Sequence, residues 1–387
     1  MTYYPLATET WNDDEINAIQ QVIDSGRFSM GPMVKAFEER AAQFFGTNYA
    51  VMVNSGSSAN LLAVAGLCYH PDYNINPGDN VIVPSVSWST TFFPVSQYGL
   101  ELRFVDVDLH TLNIDCNLIE NAIDEHTKAI FAVNLLGNPA DLIRLKEICD
   151  RNNLVLIEDN CESMGAKLKN QMAGTFGLCG TLSMFFSHHI STMEGGLILT
   201  NDRKLRDICV SMRAHGWLRE QNEDSHLNFD CDPFSRQFRF VLPGYNLRPL
   251  EMSGAIGLKQ LDKLSNFVQE RRNNAQLFQQ IFGANEDLII QKEHGESSWF
   301  GFSMILGNKL AGRRDEVVKA LAAQGIETRP IVAGNFTANP VIKHLKHSFG
   351  SSVGAAEKID LDGFFLGNHH YPIERQLECA HKVLSGM

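Results

Sequence analysis

The chain has 387 residues, of which 44% are hydrophobic, and a formal net charge of −12. That length suits a large domain plus a smaller one, and the acidic balance excludes a nucleic-acid-binding surface, which needs a basic stripe. No run of about 18 apolar residues marks a membrane span. The start, Met1-Thr2-Tyr3-Tyr4-Pro5, lacks the basic start and apolar core of a secretion signal, so a cytoplasmic protein is expected.

In chain order, Asn12 caps a first predicted helix, with Asp13, Asp14 and Glu15 in its first turn and Gly26 at its end. Ile16, Ile19, Val22 and Ile23 are its expected apolar face. A second helix spans residues 34–45, with Phe37, Ala41 and Phe44 on one face and Gly46 as its stop. Residues 51–60, V-M-V-N-S-G-S-S-A-N, give a short strand, a small-residue turn and a helix start. Such a turn is either an anion site or a plain Ser-capped helix. Residues 80–84 form a strand that ends in S-V-S-W, where Trp88 is either core or a flat stacking surface. Strands follow at 103–107, 129–135 and 154–158, with a helix at 141–151 between the last two. Alternating strands and helices mean an α/β protein with a mainly parallel sheet covered on both faces.

The strand at 154–158 delivers Asp159, Cys161 and Glu162 to its carboxyl end, where open α/β sheets bind ligands. Asp159 is there either a partner for a protonated ring nitrogen or a helix cap. The run S-M-F-F-S-H-H-I-S-T-M-E-G-G, Ser183 to Gly196, then reads as a buried strand over 182–186, a polar patch with His188 and His189, a turn, and a strand at 197–200. A helix over about 249–282 bridges to a smaller unit. That unit has a strand at 302–306, a helix at 313–324 and a loop-rich stretch at 330–339 facing the site. The eight cysteines form no C-x-C or C-x-x-C, so they read as reduced thiols and not as zinc or iron–sulfur ligands.

A phosphate-type turn, an aromatic platform and an acid on successive strand ends are together what pyridoxal phosphate needs. On S-G-S-S-A-N, P-S-V-S-W, E-D-N-C-E-S-M-G, E-G-G and G-Y-N-L-R-P-L-E-M-S-G-A-I-G, the chain resembles the nucleotide-sugar aminotransferases of fold type I. The resemblance implies an aspartate aminotransferase-like fold with a seven-stranded-type sheet and a smaller C-terminal α/β domain. It divides the chain into 1–250, with an N-terminal arm and the cofactor domain, and 251–387. In that family a lysine holds the cofactor covalently at the position of His188, and a glutamine is usual at that of Glu162. Both departures, with F-F-S-H-H-I-S-T-M-E-G-G, R-A-H-G-W, V-L-P-G-Y-N-L-R-P-L-E and G-E-S-S-W-F-G-F, are shared with the 3-dehydratase branch, which acts on GDP-4-keto-6-deoxy-D-mannose on the route to GDP-colitose.

The resemblance then implies roles. Gly56, Ser57 and Ser183 would hold the phosphate, Trp88 would stack on the ring, Asp159 would pair with the ring nitrogen, and Glu162 would sit near the ring hydroxyl. Asn246 would reach the phosphate in a neighbouring subunit, making a homodimer the functional unit. Phe28, Ser29, His215, Arg219 and Arg248 would serve the nucleotide sugar, and Glu327 and Arg329 the substrate or an amino acid's carboxylate. Histidine cannot bond the cofactor covalently, so pyridoxal or pyridoxamine phosphate would be held noncovalently, with His188 as catalytic base and His189 structural. L-glutamate would supply the amino group, leaving 2-oxoglutarate. The other readings are a sugar aminotransferase with an unusual base, a CDP-hexose 3-dehydrase and a non-catalytic cofactor-binding protein. The second would require an iron–sulfur cluster and a reductase partner, against which the unclustered cysteines argue.

Overall fold

A computed structural model describes residues 3–387; Met1 and Thr2, the start of the stretch read for a leader, lie outside the described residues. The core is an eight-stranded sheet. Its order is Tyr49–Val53, Gly196–Thr200, Cys179–Ser183, Val155–Asp159, Thr127–Val133, Asn80–Pro84, Glu101–Val105, His347–Phe349. Seven strands come from residues 49–200, as the family pattern implies; the eighth, of three residues, is lent to the edge by the C-terminal half. Only Gly196–Thr200 runs against its neighbours. The central strands Asn80–Pro84 and Val155–Asp159 are buried at every position, the expected condition of parallel strands covered on both faces. Helices Gly56–Tyr69, Ser89–Gln97 and Arg203–Met212 cover one face, and Cys116–Ala122 and Leu142–Asn152 the other.

A second, four-stranded antiparallel sheet has the order Leu288–Ile290, Gly301–Leu306, Gly363–Gly367, Thr328–Arg329. The 32-residue helix Glu251–Phe282 joins the two units because its side chains belong to both cores. Leu261 and Leu264 pack with Phe37 and Leu197, while Ala275, Phe278 and Phe282 pack with Phe302 and Leu366. Each such fully buried Leu or Phe contributes about 1.5–3 kcal/mol of burial.

The capping signals are as expected. Asn12 and Glu15 form a capping box, and Gly26 and Gly46 end their helices in the left-handed conformation. Two expected apolar surfaces differ. Ile16 and Ile23 are 55% and 45% exposed, while Ala18 and Val22 face the core. The reason is Glu15, which is fully buried and takes hydrogen bonds from Lys263 Nζ at 2.7 Å and Gln260 Nε2 at 2.8 Å on the long helix. That polar contact turns the helix and leaves only a narrow apolar stripe inside. Phe44 is only partly buried, with Ala42 and Phe45 beside it in the core instead. The strand expected over 182–186 ends at Ser183. Met184 N–H turns back to Gly195 O at 2.9 Å, so Phe185 and Phe186 leave the sheet, 43% and 48% exposed.

Candidate active site

Strand ends from the large sheet and side chains from the second unit enclose one cavity of about 570 Å3. The walls include Gly56, Ser57, Trp88, Asp159, Glu162, Ser183 and His188, together with Phe300, Arg329 and Phe365 from the far side.

At one end the helix Gly56–Tyr69 begins. Ser55 caps it, its Oγ accepting from Ser58 N–H at 3.1 Å. The Gly56 and Ser57 N–H groups find no acceptor among the described residues, as first-turn donors do not in a helix open to an anion. Gly56 must be glycine for packing: a Cβ there would lie 2.5 Å from Ser183 Cβ. A Cβ on Gly196 would lie 2.2 Å from Ser55 O. Gly56 thus lets the helix start close on the strand Cys179–Ser183, and Gly196 lets its own strand, Gly196–Thr200, pass the backbone of Ser55. Trp88 precedes the next helix and is 58% exposed, so it is a cavity wall and not core.

Asp159 is 6% exposed. Its Oδ2 accepts from Asn60 Nδ2 at 2.8 Å and Thr91 Oγ1 at 2.7 Å, and its Oδ1 from Cys161 N–H at 3.2 Å. Thr91 donates to Asp159 and so accepts from Ser87, 2.7 Å away; Asn60 Oδ1 accepts from Thr181 at 2.6 Å. Asn60 and Thr91 carried no role in the sequence reading, although Asn60 is the last letter of S-G-S-S-A-N. Strand alternation sends the neighbouring Glu158 to the opposite face, fully buried. Its oxygens accept from the N–H groups of Gly174 at 2.6 Å, Phe176 at 2.6 Å and Gly177 at 2.9 Å, fixing the loop before Cys179–Ser183.

Glu162 Oε2 accepts from Leu136 N–H at 3.0 Å. Burial pushes its carboxyl up to about 7; the Leu136 hydrogen bond opposes this and the nearby Asp159 charge adds to it.

His188 Nδ1 lies 2.8 Å from Cys161 O. A carbonyl only accepts, so Nδ1 carries the proton and Nε2 presents a lone pair. Burial lowers this imidazole to about 4, against the Cys161 carbonyl and Asp159, which raise it, and with Arg271, which lowers it. His189, fully buried, points elsewhere and meets Ser298 O through Nε2 at 3.0 Å.

Of the remaining sequence-predicted residues, Arg329 lines the cavity; Phe28, Ser29, His215, Arg219, Asn246, Arg248 and Glu327 do not. Four of them gather around Trp217. His215 packs edge-on at 5.2 Å between centroids, and the guanidinium carbons of Arg219 and Arg248 lie 5.2 and 5.8 Å from the indole centroid. Arg248 Nε donates to Asn246 Oδ1 at 3.0 Å. Phe28 is 52% exposed, and Ser29 bridges to Leu250 just beyond this cluster. Glu327 accepts from Tyr3 OH at 2.7 Å and Leu6 N–H at 3.0 Å and so ties down the N-terminal segment.

Residues 9–372 match the model of the DegT/DnrJ/EryC1/StrS aminotransferase family. A GDP-4-keto-6-deoxy-D-mannose 3-dehydratase of Yersinia pseudotuberculosis is 51% identical over 387 residues, covering 99% of this chain and 98% of that protein. The Escherichia coli GDP-4-keto-6-deoxy-D-mannose-3-dehydratase, solved with bound hydrated PLP, superposes with a TM-score of 0.97 at 48% identity, covering 99% of this chain and 100% of that one. A GDP-4-keto-6-deoxymannose-3-dehydratase solved with a trapped PLP-glutamate geminal diamine gives a TM-score of 0.96 at 48% identity, covering 98% and 100%. The chain therefore belongs to the DegT/DnrJ/EryC1/StrS aminotransferase family.

The raised carboxyl of Glu162 has a stability consequence. Between the unfolded value of 4.5 and about 7 the folded chain binds more protons than the unfolded one, so this group's contribution is lost as pH rises through that window. Glu162→Gln keeps the acceptor for Leu136 N–H and removes the titration. We expect the variant's melting temperature to match the wild type's near pH 5 and to exceed it increasingly towards pH 8, in thermal scans of cofactor-free protein.

Proposed function

We propose that the cavity is the active site of a pyridoxal/pyridoxamine phosphate-dependent dehydratase acting on GDP-4-keto-6-deoxy-D-mannose. The enzyme removes the C3 hydroxyl to give GDP-4-keto-3,6-dideoxy-D-mannose. L-glutamate restores the amine form of the cofactor, so 2-oxoglutarate and ammonia are released. The product leads to GDP-colitose and lipopolysaccharide O antigen, and we take the enzyme to work in the cytoplasm. The observation that carries this reading is a neutral histidine, in a fixed tautomer, where the family has lysine. The relatives' names supply the sugar and the nucleotide, and the glutamate adduct of one of them supplies the amino donor.

The residues present fit the cofactor. The free N–H groups of Gly56 and Ser57, beside Ser183, suit a phosphate. The exposed face of Trp88 suits a planar ring, and the Asp159 carboxylate, oriented by three donors, suits a ring N–H. When bound, pyridoxamine phosphate supplies the amine that condenses with the C4 ketone and the ring that takes up the electrons of C–H cleavage.

The chain's own part is proton movement and enclosure. Imidazole with a proton on Nδ1 accepts a second one at Nε2. Because burial holds its affinity for that proton low, the charged form is a strong acid, suited to return the proton to the departing C3 hydroxyl. Phe185, Phe300 and Val332 line the same cavity and limit water around that exchange. The cluster around Trp217, with Asn246, lies outside this chain's cavity wall. We assign it, with Phe28 and Ser29, to the cavity of a second copy in a homodimer: Asn246 for the cofactor phosphate, and the two arginines for the diphosphate. Arg329 faces the substrate or amino-acid carboxylate from within. The reading also divides the chain into 1–250 and 251–387, with the helix Glu251–Phe282 opening the second part.

Three outcomes are expected. Borohydride reduction of the pyridoxal form should leave no cofactor attached to the polypeptide; mass spectrometry of the intact chain reads this, and a reduced lysine adduct would contradict it.

Asp159→Asn should keep its melting temperature within a few degrees and lose turnover by about a hundredfold or more, since an amide cannot act as counter-ion to a ring N–H. Near-wild-type turnover would leave Asp159 as an anchor of its own turn only, since no helix follows it to be capped.

His188→Asn should lose about a hundredfold to ten-thousandfold in ammonia and deoxysugar formation at matched cofactor occupancy. His188→Lys should restore a covalent link and suppress dehydration. Wild-type dehydration by the Asn variant would remove His188 from the mechanism.

A further inference from the structure

Arg271 lies midway along the helix Glu251–Phe282 and is 5% exposed. No carboxylate pairs with it among the described residues; burial alone lowers the guanidinium to about 10. A buried cation without an acid is costly, and its hydrogen bonds must hold it. Here they are carbonyls: Nη1 donates to Asn368 O at 2.7 Å, Phe300 O at 3.0 Å and, more weakly, Trp299 O at 3.5 Å. Asn368 Nδ2 reinforces the same group, donating to Trp299 O at 2.8 Å.

The clamped segment belongs to G-E-S-S-W-F-G-F, a motif of which the proposed function uses Phe300 alone. Trp299 has φ +47°, a left-handed conformation that is a steric outlier for a bulky side chain. It faces a second such residue, Leu136, at φ +52°. Gly137 sits between them; a Cβ there would lie 2.3 Å from Trp299 N. The strained pair is bolted together by Phe300 N–H to Leu136 O at 3.0 Å. The result is one placement: the Phe300 ring lies 5.2 Å from the His188 ring and 5.7 Å from the His189 ring, in the cavity wall.

We propose that Arg271 is a positioning residue for proton transfer. By clamping the carbonyls of Trp299 and Phe300 it holds the strained turn in place, and with it the Phe300 ring that shields the imidazole of His188. The proposal rests on the reading of His188 as the base.

The charged and titratable groups around His188 are Asp159, Cys161 and Glu162 on the strand-end turn, the Cys161 thiol being held neutral by burial, and Glu194 and Arg329 in the cavity wall. His189 stands on its own segment, and Arg271 on the long helix. Burial lowers His188 most, so a released turn, which admits water to the ring, lets it rise towards its ordinary 6.5. Removal of the Arg271 charge works in the same direction.

The test uses nitrogen-15 histidine NMR on cofactor-free and loaded protein, with the His188 signal identified by its loss in His188→Asn. The pH dependence of kcat for ammonia release is measured beside it. In Arg271→Gln the His188 titration should rise by about one unit or more, with the acid limb of kcat following and KM for the sugar unchanged. Arg271→Lys keeps the charge with a different donor geometry and should show a smaller rise; Phe300→Leu should show the rise with the arginine intact. An unmoved titration in these variants, even with a lower melting temperature, overturns the proposal and leaves Arg271 a structural residue. Should Arg271→Gln fail to fold, an unmoved titration in both Arg271→Lys and Phe300→Leu overturns it equally. A titration that moves while the rate profile does not overturns the role of His188 instead, which keeps the two failures apart.

Discussion

The site depends on one hydrogen bond, His188 Nδ1–H to the carbonyl of Cys161 at 2.8 Å. It decides which ring nitrogen is basic, and it does so with a backbone group that does not titrate. Cys161 lies two residues beyond Asp159, and its own N–H donates to Asp159 Oδ1. One turn at the end of Val155–Asp159 therefore fixes both the His188 imidazole and the Asp159 carboxylate in the cavity wall. On the opposite face Glu158, whose buried side chain gathers three N–H groups, holds the loop that leads into the neighbouring strand Cys179–Ser183. Neighbouring acids on one strand thus have separate work: alternation sends Glu158 into structure and Asp159 into the cavity.

Burial then sorts the titratable groups. It drives both Glu162 and His188 towards their neutral forms, one upward to about 7 and the other downward to about 4. A proton acceptor that is neutral at physiological pH needs no prior deprotonation. The same burial makes the charged form a stronger acid, which suits the proton return proposed for His188. A lysine at this place would bring a second function, the covalent hold on the cofactor. Without it, in the proposed function, retention would fall to noncovalent contacts at the helix start at Gly56, the Trp88 face and the Asp159 carboxylate.

Much of this was legible in the sequence because it rests on local rules. Asn12 and Gly26 bound their helix by capping geometry, and residues 80–84 form a strand because a short apolar run meets a small-residue turn. The glycines of S-G-S-S-A-N and E-G-G mark close approaches, as the positions of Gly56 and Gly196 show. What was not legible depends on contacts far apart in sequence. The outward turn of Ile16 and Ile23 follows from Glu15 meeting Lys263, a partner 248 residues away. The eighth strand, His347–Phe349, has no periodicity at three residues and exists because Glu101–Val105 offers an edge. Trp217 gives no local sign that His215, Arg219 and Arg248 converge on it. Arg271, in a helix with many polar residues, looks like any solvated arginine until its burial is seen.

The long helix ties these observations together. Its first half is part of the large-sheet core and its second half part of the small one, so the two units cannot slide independently. Arg271 stands between those halves and reaches the turn carrying Phe300, while Arg272 beside it reaches Ser297 O at 2.8 Å and Gly165 O at 3.4 Å. One helical turn thus joins the G-E-S-S-W-F-G-F segment to Gly165 in the turns that follow the central strand. A cavity built at the seam of two units needs such a tie. Its walls come from both, and a shift of about an ångström between reacting groups is enough to cost a large factor in rate. The left-handed Trp299 and Leu136 show that this tie is bought with strained backbone, which a fold retains where the placement matters more than local comfort.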